Sequence, residues 1–579
     1  MQSEASSQST FKLLSLVVGS IYFLALLPFA RLGVDPHHDG VMLHPALMVE
    51  SGFVVHRDIF SQYGPLTSIV QAAFIYLLGP SLWSIRVGSC VLLAGTGALL
   101  FSLNRRFFGI GIATIASIVS LSLTYFFSST SPMLPWPSDL MIFLVSLCGW
   151  LLSRGLESTR PSRSFLLLIL SGFVGSLLPF VRQSVGIVLL LLAVCGAIVL
   201  RRRWLLPVFV GIGVGVATAV TYFIATDSLS EFWQQSVIGP WRWAVEERGE
   251  GGWAAVRGNV MNVGVTGVAL LLLGSQLLNQ ITKSRDAKRR SGQFWGLLVL
   301  CSALFALTHS DGIIFQINRE SLLWALGVAG LGSLIFATLR LKVDGTLAGN
   351  SLFSACVLAT ATASIFPVTD IRHAYWAFIP LVGTGLFLIS RGLNGTHARA
   401  FGGTIFCALI GFQTIVAIQK TVRIPRVAVA DTPVLRHMLF DRDYLEFFET
   451  RFAQVASLRR LHPDAMVLNI CSDGLFASLG ATKAIPDPYF VSWNFGLDFF
   501  NPKSEIGQDR IEFVRRERPI VWMCPFTDSP ERLAQMYDLT LLANDVTIPS
   551  ADQFSWWPYI SYLGVPSEWD LSDAQLPNQ

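Results

Sequence analysis

Long apolar stretches separated by short polar breaks fill the chain from Phe11 to Ile418, after which the pattern changes. Thirteen stretches, at about 11–31, 81–103, 109–128, 138–153, 164–181, 184–200, 204–225, 259–281, 293–308, 320–339, 351–367, 374–390 and 400–419, run about 16 residues or more with few charges. Stretches of this length predict helices that cross the ~30 Å hydrocarbon core of a bilayer. Leu66–Leu78 is also apolar but too short to cross, and predicts a helix at about 66–79 that lies at the interface or re-enters. From Lys420 onward charges, prolines and short apolar runs return, which divides the chain into a membrane part, 1–420, and a soluble tail, 421–579.

Composition agrees with this pattern. Of the 579 residues, 52% are hydrophobic and only 14% charged, against about 25% charged in soluble domains. The first stretch is long for a signal-peptide core and lacks a convincing cleavage site, so it is expected to stay as the first span. A net charge of +4 gives no reason to expect a nucleic-acid partner, and the eight cysteines form no CxxC or zinc spacing.

With the N-terminus in the cytoplasm, the predicted inner loops carry eighteen Lys and Arg and the outer loops and helix ends before the tail carry nine. Excess positive charge inside supports this orientation. Counting Leu66–Leu78 as a crossing would put the basic loops outside. Thirteen crossings therefore place the tail on the extracytoplasmic side of a multi-pass cell-membrane protein.

Polar chemistry gathers on that outer side. The first external loop, 32–65, holds Asp35, His37, His38, Asp39, His44, His56, Arg57 and Asp58, and so four of the nine histidines. Later helices carry Arg86, then Arg182 and Gln183, His309 and Asp311, and Asp370, Arg372 and His373 at their outer ends. Ionisable groups at membrane depth are costly and usually face a cavity or a partner, so one shared external cavity accounts for them together. Taken singly, each has a plainer reading. Arg86 can snorkel to headgroups, Asp35 can be a simple loop residue, His37 and His38 can be solvated or cap a helix, and Gly64-Pro65 reads as a turn. Trp233, Trp241 and Trp243 read as an interfacial aromatic belt among membrane lipids.

The first loop and its surroundings resemble a known family. H-D-G-x-x-L at 38–43, E-S-G at 50–52, R-D-I-F-S-Q-Y-G-P-L at 57–66 and L-G-P-S-L-W-S-I-R at 78–86 are similar to the start of the C-type membrane glycosyltransferases. Among these, the group of protein O-mannosyltransferases and lipid A aminoarabinose transferases is the most similar. The resemblance is strong over 31–106, weaker at R-Q-S-V-G (182–186) and F-P-V-T-D-I-R-H (366–373), and not visible in the tail. It implies an α-helical polytopic fold with a similar number of spans, an acidic motif in the first external loop and, in many relatives, an extracytoplasmic C-terminal domain. Relatives usually have two adjacent acidic residues where this chain has His38-Asp39. Either Asp39 acts alone, or neighbouring histidines recruit a metal.

Nucleotide sugars are not expected outside the cell, so a transferase there needs a membrane-borne donor such as a polyprenyl-phosphate-linked sugar. The resemblance places the general base at Asp39. Asp58 is the expected second carboxylate, orienting the acceptor or helping to hold a metal. Arg182, with Gln183, is the first choice for the donor phosphate because a guanidinium offers paired hydrogen bonds to phosphate oxygens. Arg372, His373 and Arg86 follow, with Asp370, His309 and Asp311 as orienting groups. A divalent metal ion on His38 and His56, with Asp39 and Asp58, is the alternative to ordinary loop polar groups, since these ligands suit zinc or manganese. The acceptor is a glycan, a lipid or a protein. Competing readings are a secondary transporter, which would carry internal repeats, and a polymerase or ligase of lipid-linked glycans.

In the tail, 434–461 predicts a long or broken helix, 465–470 and 519–524 buried strands, and 530–537 a helix, giving a small α/β domain. The aromatic segments 493–500 and 554–562 suit either core packing or stacking on carbohydrate. Cys471 and Cys524 can pair if their strands are neighbours.

Overall fold

The computed structural model describes residues 2–124, 133–183, 205–239, 425–428, 433–469, 505–523, 529–542, 546–547 and 560–572, with isolated positions between 379 and 423 and at 502–503. The predicted spans at 184–200, 259–281, 293–308, 320–339 and 351–367 lie outside these residues, and those at 374–390 and 400–419 include only isolated described positions. Cys471, Cys524 and the aromatic segment 493–500 also lie outside, as does most of 554–562.

The membrane part begins with helix α1 (Gln2–Leu26), which tightens into a 3-10 turn at Leu27–Arg31. It continues with α2 (Pro36–Glu50), α3 (Pro65–Leu78), α4 (Leu82–Phe108), α5 (Ile110–Leu123), α6 (Pro137–Glu157), α7 (Pro161–Ser176) and α8 (Leu205–Ala225). A short helix α9 (Leu229–Trp233) runs into a π turn at Gln234–Ile238. Five described segments, Leu13–Arg31, Leu82–Phe108, Pro137–Glu157, Pro161–Phe180 and Leu206–Ala225, are long and apolar enough to cross a membrane. The expected span at 109–128 is described only as the 14-residue α5. The short α3 also has 14 residues, about 21 Å at 1.5 Å per residue, which suits an interfacial helix.

Exposure follows the membrane pattern. Leu13, Leu16, Val17, Ile21 and Leu24 form one exposed stripe on α1, while Tyr22 and Leu26 are buried. Leu206, Phe209, Val210, Val214, Val216, Val220 and Ile224 are exposed on α8, and Tyr76, Leu77 and Leu78 end α3 in the open. Apolar stripes of this size are liabilities in water but an ordinary lipid-facing surface.

Small residues permit close helix packing where lipid gives little apolar drive for association. A Cβ on Gly172 of α7 would collide with the Val208 carbonyl oxygen of α8, and one on Gly211 with the Ile169 carbonyl oxygen. A Cβ on Gly19 of α1 would likewise lie 3.2 Å from the Ala94 carbonyl oxygen of α4. At the other end of the bundle, Arg106 of α4 pairs with Glu157 of α6.

The segment 32–65 differs from a simple loop, because it contains the whole of α2. Asp35 is not idle there: its side chain accepts from the His38 N–H as N-cap, and Pro36 occupies the first turn. That combination starts a helix. Pro45 inside α2 provides no N–H to the helix ladder.

In the tail, the stretch 434–461 is more divided than expected. A 3-10 turn (Pro433–Leu435) and a strand precede the helix α10 (Arg442–Leu461). That strand is β2 (Leu439–Asp441), antiparallel to β1 (Arg426–Ala428). A second sheet has the order β3 (Val467–Asn469), β4 (Ile520–Met523), β7 (Ile560–Pro566), β5 (Leu539–Leu541), with β6 (Val546–Thr547) also on β7. Helices α11 (Glu505–Glu517) and α12 (Pro530–Tyr537) complete it. Strands β3 and β4, which precede Cys471 and Cys524, are parallel neighbours. Alternation along β4 sends Val521 and Met523 into a core with Leu533 and Tyr537 of α12. Ile520 and Trp522 face the other way, into a core shared with Val41, Met42 and Leu43 of α2.

Gly211 and Gly213 provide a matched test of the α7–α8 seam, because a Cβ at Gly213 meets nothing within 4 Å. Gly211→Val is expected to destabilise by about 3 kcal/mol through overpacking. Thermal unfolding in detergent should show a lowered midpoint for Gly211→Val only, and equal midpoints for the two valine variants would contradict this packing.

Candidate functional site

Asp39 lies in the first turn of α2 and is fully buried, as is Arg86 near the start of α4. Arg86 Nη2 donates to Asp39 Oδ2 at 2.6 Å, and the Asp35 N–H donates to the same oxygen at 2.7 Å. Arg86 Nη1 turns to the backbone, donating to the carbonyls of Ala30 (3.4 Å), Leu32 (3.0 Å) and Gly33 (3.0 Å). Arg86 is thus held in the first loop by three backbone carbonyls and the Asp39 carboxylate. Burial raises the Asp39 carboxyl above the usual carboxylate range, with Arg86 opposing and the nearby Asp35 reinforcing the shift.

A second group forms around Trp136, the N-cap of α6. The rings of His38 and Tyr63 meet the Trp136 ring edge-on at centroid distances of 5.2 and 5.5 Å. His38 also contacts Asp35 through Nδ1 at 2.9 Å. Arg182 follows the 3-10 turn Leu178–Phe180, is buried, and donates to Ser138 Oγ at 3.4 Å. Burial pushes the Tyr63 phenol up to about 12, with the Arg182 cation pulling the other way. Gly64 is more than a turn residue, because a Cβ there would overlap the Phe180 backbone. It thus lets the end of the first loop lie against the turn that carries Arg182. The neighbouring Gln183 has its Nε2 buried and without a hydrogen-bond partner among the described residues.

Asp139 belongs to the same region and was not among the sequence candidates. It lies in the first turn of α6, beside Ser138, and is buried. Its side chain hydrogen-bonds Ser89 of α4, three residues beyond Arg86 and so on the same helix face. The sequence signal, P-S-D before an apolar run, reads as an ordinary helix start.

Asp58 and His56 sit in a separate arrangement. Asp58 accepts from the Val54 N–H at 2.8 Å and from the Arg57 fork at 2.9 and 2.8 Å, while Arg57 also donates to the Thr226 carbonyl at 3.2 Å. The hydrogen bond from Arg57 leads the causes that hold the Asp58 carboxyl below its ordinary value. His56 is buried with φ 76°. Its Nδ1 lies 3.0 Å from Gln235 Oε1 in the π turn, and Gln235 Nε2 donates to the His56 carbonyl at 2.9 Å. Burial lowers His56 to about 4 and His44 to about 3, so both are neutral at physiological pH.

The four residues considered as metal ligands are therefore drawn apart. His38 goes to Asp35, Asp39 to Arg86, His56 to Gln235 and Asp58 to Arg57. Among the described residues no three His, Cys, Asp or Glu side chains converge as a metal site. The residues present do not fit that ion as a group. His309, Asp311, Asp370, Arg372 and His373 lie outside the described residues.

Residues 62–226 match the family described as dolichyl-phosphate-mannose-protein mannosyltransferase. No curated protein sequence matches the chain. Among solved structures, ArnT from Cupriavidus metallidurans bound to undecaprenyl phosphate aligns at 13% identity, covering 96% of this chain and 98% of that one, with a TM-score of 0.41. Its apo state gives 13% identity, coverage of 97% and 98%, and a TM-score of 0.41. The archaeal oligosaccharyltransferase AglB from Archaeoglobus fulgidus, in complex with an inhibitory peptide and a dolichol-phosphate, aligns at 12% identity over 83% of this chain and 61% of its own, with a TM-score of 0.38. The family match spans residues 62–226, 165 of the 579, and makes this part of the helical, apolar region similar to the dolichyl-phosphate-mannose-protein mannosyltransferases.

Proposed function

We propose that the protein is a membrane glycosyltransferase of the C type that transfers a sugar from a polyprenyl-phosphate carrier to a glycan, lipid or protein acceptor on the extracytoplasmic side, with Asp39 as general base. The observation that carries this reading is the buried pair that Asp39 of the H-D-G motif forms with Arg86 of α4. Its carboxylate, of raised proton affinity, lies at the start of α2 next to His38, whose ring meets Trp136, and the same Trp136 ring meets Tyr63, which feels the Arg182 cation. The matched family is named for a dolichyl-phosphate sugar donor, which fits the same chemistry.

In the proposed step the Asp39 carboxylate takes the proton of the acceptor hydroxyl as that oxygen bonds to the anomeric carbon. The bond from this carbon to the phosphate oxygen breaks, and the lipid phosphate leaves with the electron pair. Arg182 stabilises the charge that grows on the phosphate, with Gln183 beside it as a further donor. Arg372 and His373, oriented by Asp370, are the next cationic candidates, and His309 with Asp311 the remaining orienting pair. Arg86 holds Asp39. Asp58 holds the turn 54–58 through Arg57, and this supports a structural role for it over a second catalytic carboxylate. The proposed orientation has a cytoplasmic N-terminus and the tail, 421–579, outside the cell as a separate domain.

Radiolabelled polyprenyl-phosphate sugars supplied to purified protein with membrane acceptors test the reaction. Asp39→Asn, compared per amount of folded protein, is expected to lose about 10²- to 10⁴-fold in rate. Full-rate transfer by that variant would remove the base assignment, and solute uptake into proteoliposomes with no transfer would favour a transporter.

Arg182→Gln is expected to lower kcat by about 10²-fold, because a transition-state contact to the phosphate is lost. An unchanged kcat with only a weaker KM would assign Arg182 to ground-state binding instead.

The pH profile follows from the sign of the Asp39 shift. The base works only when ionised, and its raised affinity means that it protonates above the ~3.9 of an exposed aspartate as pH falls. The acid limb of kcat/KM should therefore lie above that value. An acid limb at or below it would show that the working carboxylate is an unshifted or depressed one such as Asp58.

A further inference from the structure

We infer that the tail segment His437–Leu439 is a positioning element for Asp39, acting through Gly33 and Arg86; the inference rests on the reading of Asp39 as the base. The path is continuous and short. The Leu439 carbonyl accepts from the Gly33 N–H at 2.8 Å, and Leu32 forms a parallel bridge with Leu439. The Gly33 carbonyl in turn accepts from Arg86 Nη1 at 3.0 Å, and Arg86 Nη2 holds Asp39 at 2.6 Å. One peptide segment, 32–33, is thus gripped from the tail on one side and by the Asp39 partner on the other.

Two further contacts fix the tail side of this seam. Arg31 Nε donates to the His437 carbonyl at 3.0 Å. The His437 ring lies against the Trp83 ring at 5.2 Å, and Trp83 precedes Arg86 by one helical turn on α4. Both Gly33 (φ 63°) and His437 (φ 71°) hold left-handed backbone, which is uncommon outside glycine and is kept where surrounding contacts over-determine it. Next to His437, Met438 is buried in the core that includes Val41, Met42 and Leu43 of α2. The tail therefore touches the loop on both sides of Asp39, at 31–33 and along α2.

Arg31 is exposed, so its substitution tests the seam without emptying a core. In the full-length protein, Arg31→Met is expected to lower kcat about tenfold with KM for the polyprenyl-phosphate sugar changed less than about twofold, since small misplacement of a catalytic group acts on the chemical step. Arg31→Lys, which keeps a donor for the His437 carbonyl, should recover most of the rate. Hydrogen exchange over residues 32–44 should rise in Arg31→Met and return in Arg31→Lys. An unchanged kcat in Arg31→Met, or a fall in kcat with no change in exchange over 32–44, would overturn the inference. Asp39→Asn, run in parallel, separates the two possible failures. A dead Asp39→Asn with a normal Arg31→Met sinks the positioning role alone, whereas a normal Asp39→Asn sinks the base reading on which it rests.

Discussion

The arrangement of the first loop depends on one ion pair kept away from water. Removing a carboxylate and a guanidinium from solvent costs several kcal/mol for each, and their attraction offsets this only when the geometry is close and other hydrogen bonds serve the remaining polar atoms. Arg86 and Asp39 meet that condition by drawing the chain around them. The guanidinium gathers the carbonyls of Ala30, Leu32 and Gly33, and the carboxylate collects the Asp35 N–H. The path from the first span into α2 is in this sense the solvation shell of the pair. Breaking it from either side would leave an unpaired buried charge, so the loop has little freedom to place Asp39 elsewhere.

Much of the membrane architecture was legible because it depends on length and hydropathy alone. The described spans fall where unbroken apolar runs predict them, and the short run 66–78 became a helix of 14 residues with Tyr76 and Leu77 exposed. The first loop was less legible. Its helix α2 has apolar residues buried on more than one face, including Val41, Met42, Leu43 and Ala46, so no amphipathic period announces it. The signal that was present, Asp35-Pro36 as cap and first residue, is local and easily read as a turn. In the tail, Leu439–Asp441 was hidden because it is a strand of only three residues, held by the equally short β1 and by a bridge from Leu32, some four hundred residues away.

The site residues show the same division. Asp39 and Arg182 stood out through motif and placement, but their partners did not. Arg86 looked like a cation available to a phosphate, and only the folded chain shows its donors turned to three carbonyls and a carboxylate. Asp139 escaped notice because an acid in the first turn of a helix is common for electrostatic reasons alone. Its burial and its bond to Ser89 arise from the packing of α4 on α6, which no local pattern encodes. Gln235 was invisible for a similar reason, since its two bonds to His56 join positions 179 residues apart.

Two of the three aspartates of the first loop, Asp39 and Asp58, each pair with an arginine, and the two pairs differ in their surroundings. Arg57 and Asp58 are sequence neighbours with side chains 44% and 20% exposed, and exposed pairs of this kind add little to stability. Water shares in stabilising Asp58, so the arginine hydrogen bond prevails and its proton affinity falls. Arg86 reaches Asp39 at a similar distance with both groups fully buried. There the loss of water outweighs the arginine, and proton affinity rises. Environments that push two like groups apart in this way are how one loop can hold a base and a structural acid together. A carboxylate of low proton affinity is a poor acceptor for the proton of a sugar or serine hydroxyl, whereas one of raised affinity gains driving force as the acceptor oxygen develops its bond. Asp39 is therefore the proposed base, and Asp58 the proposed brace of the turn that leads back to Tyr63 and Gly64.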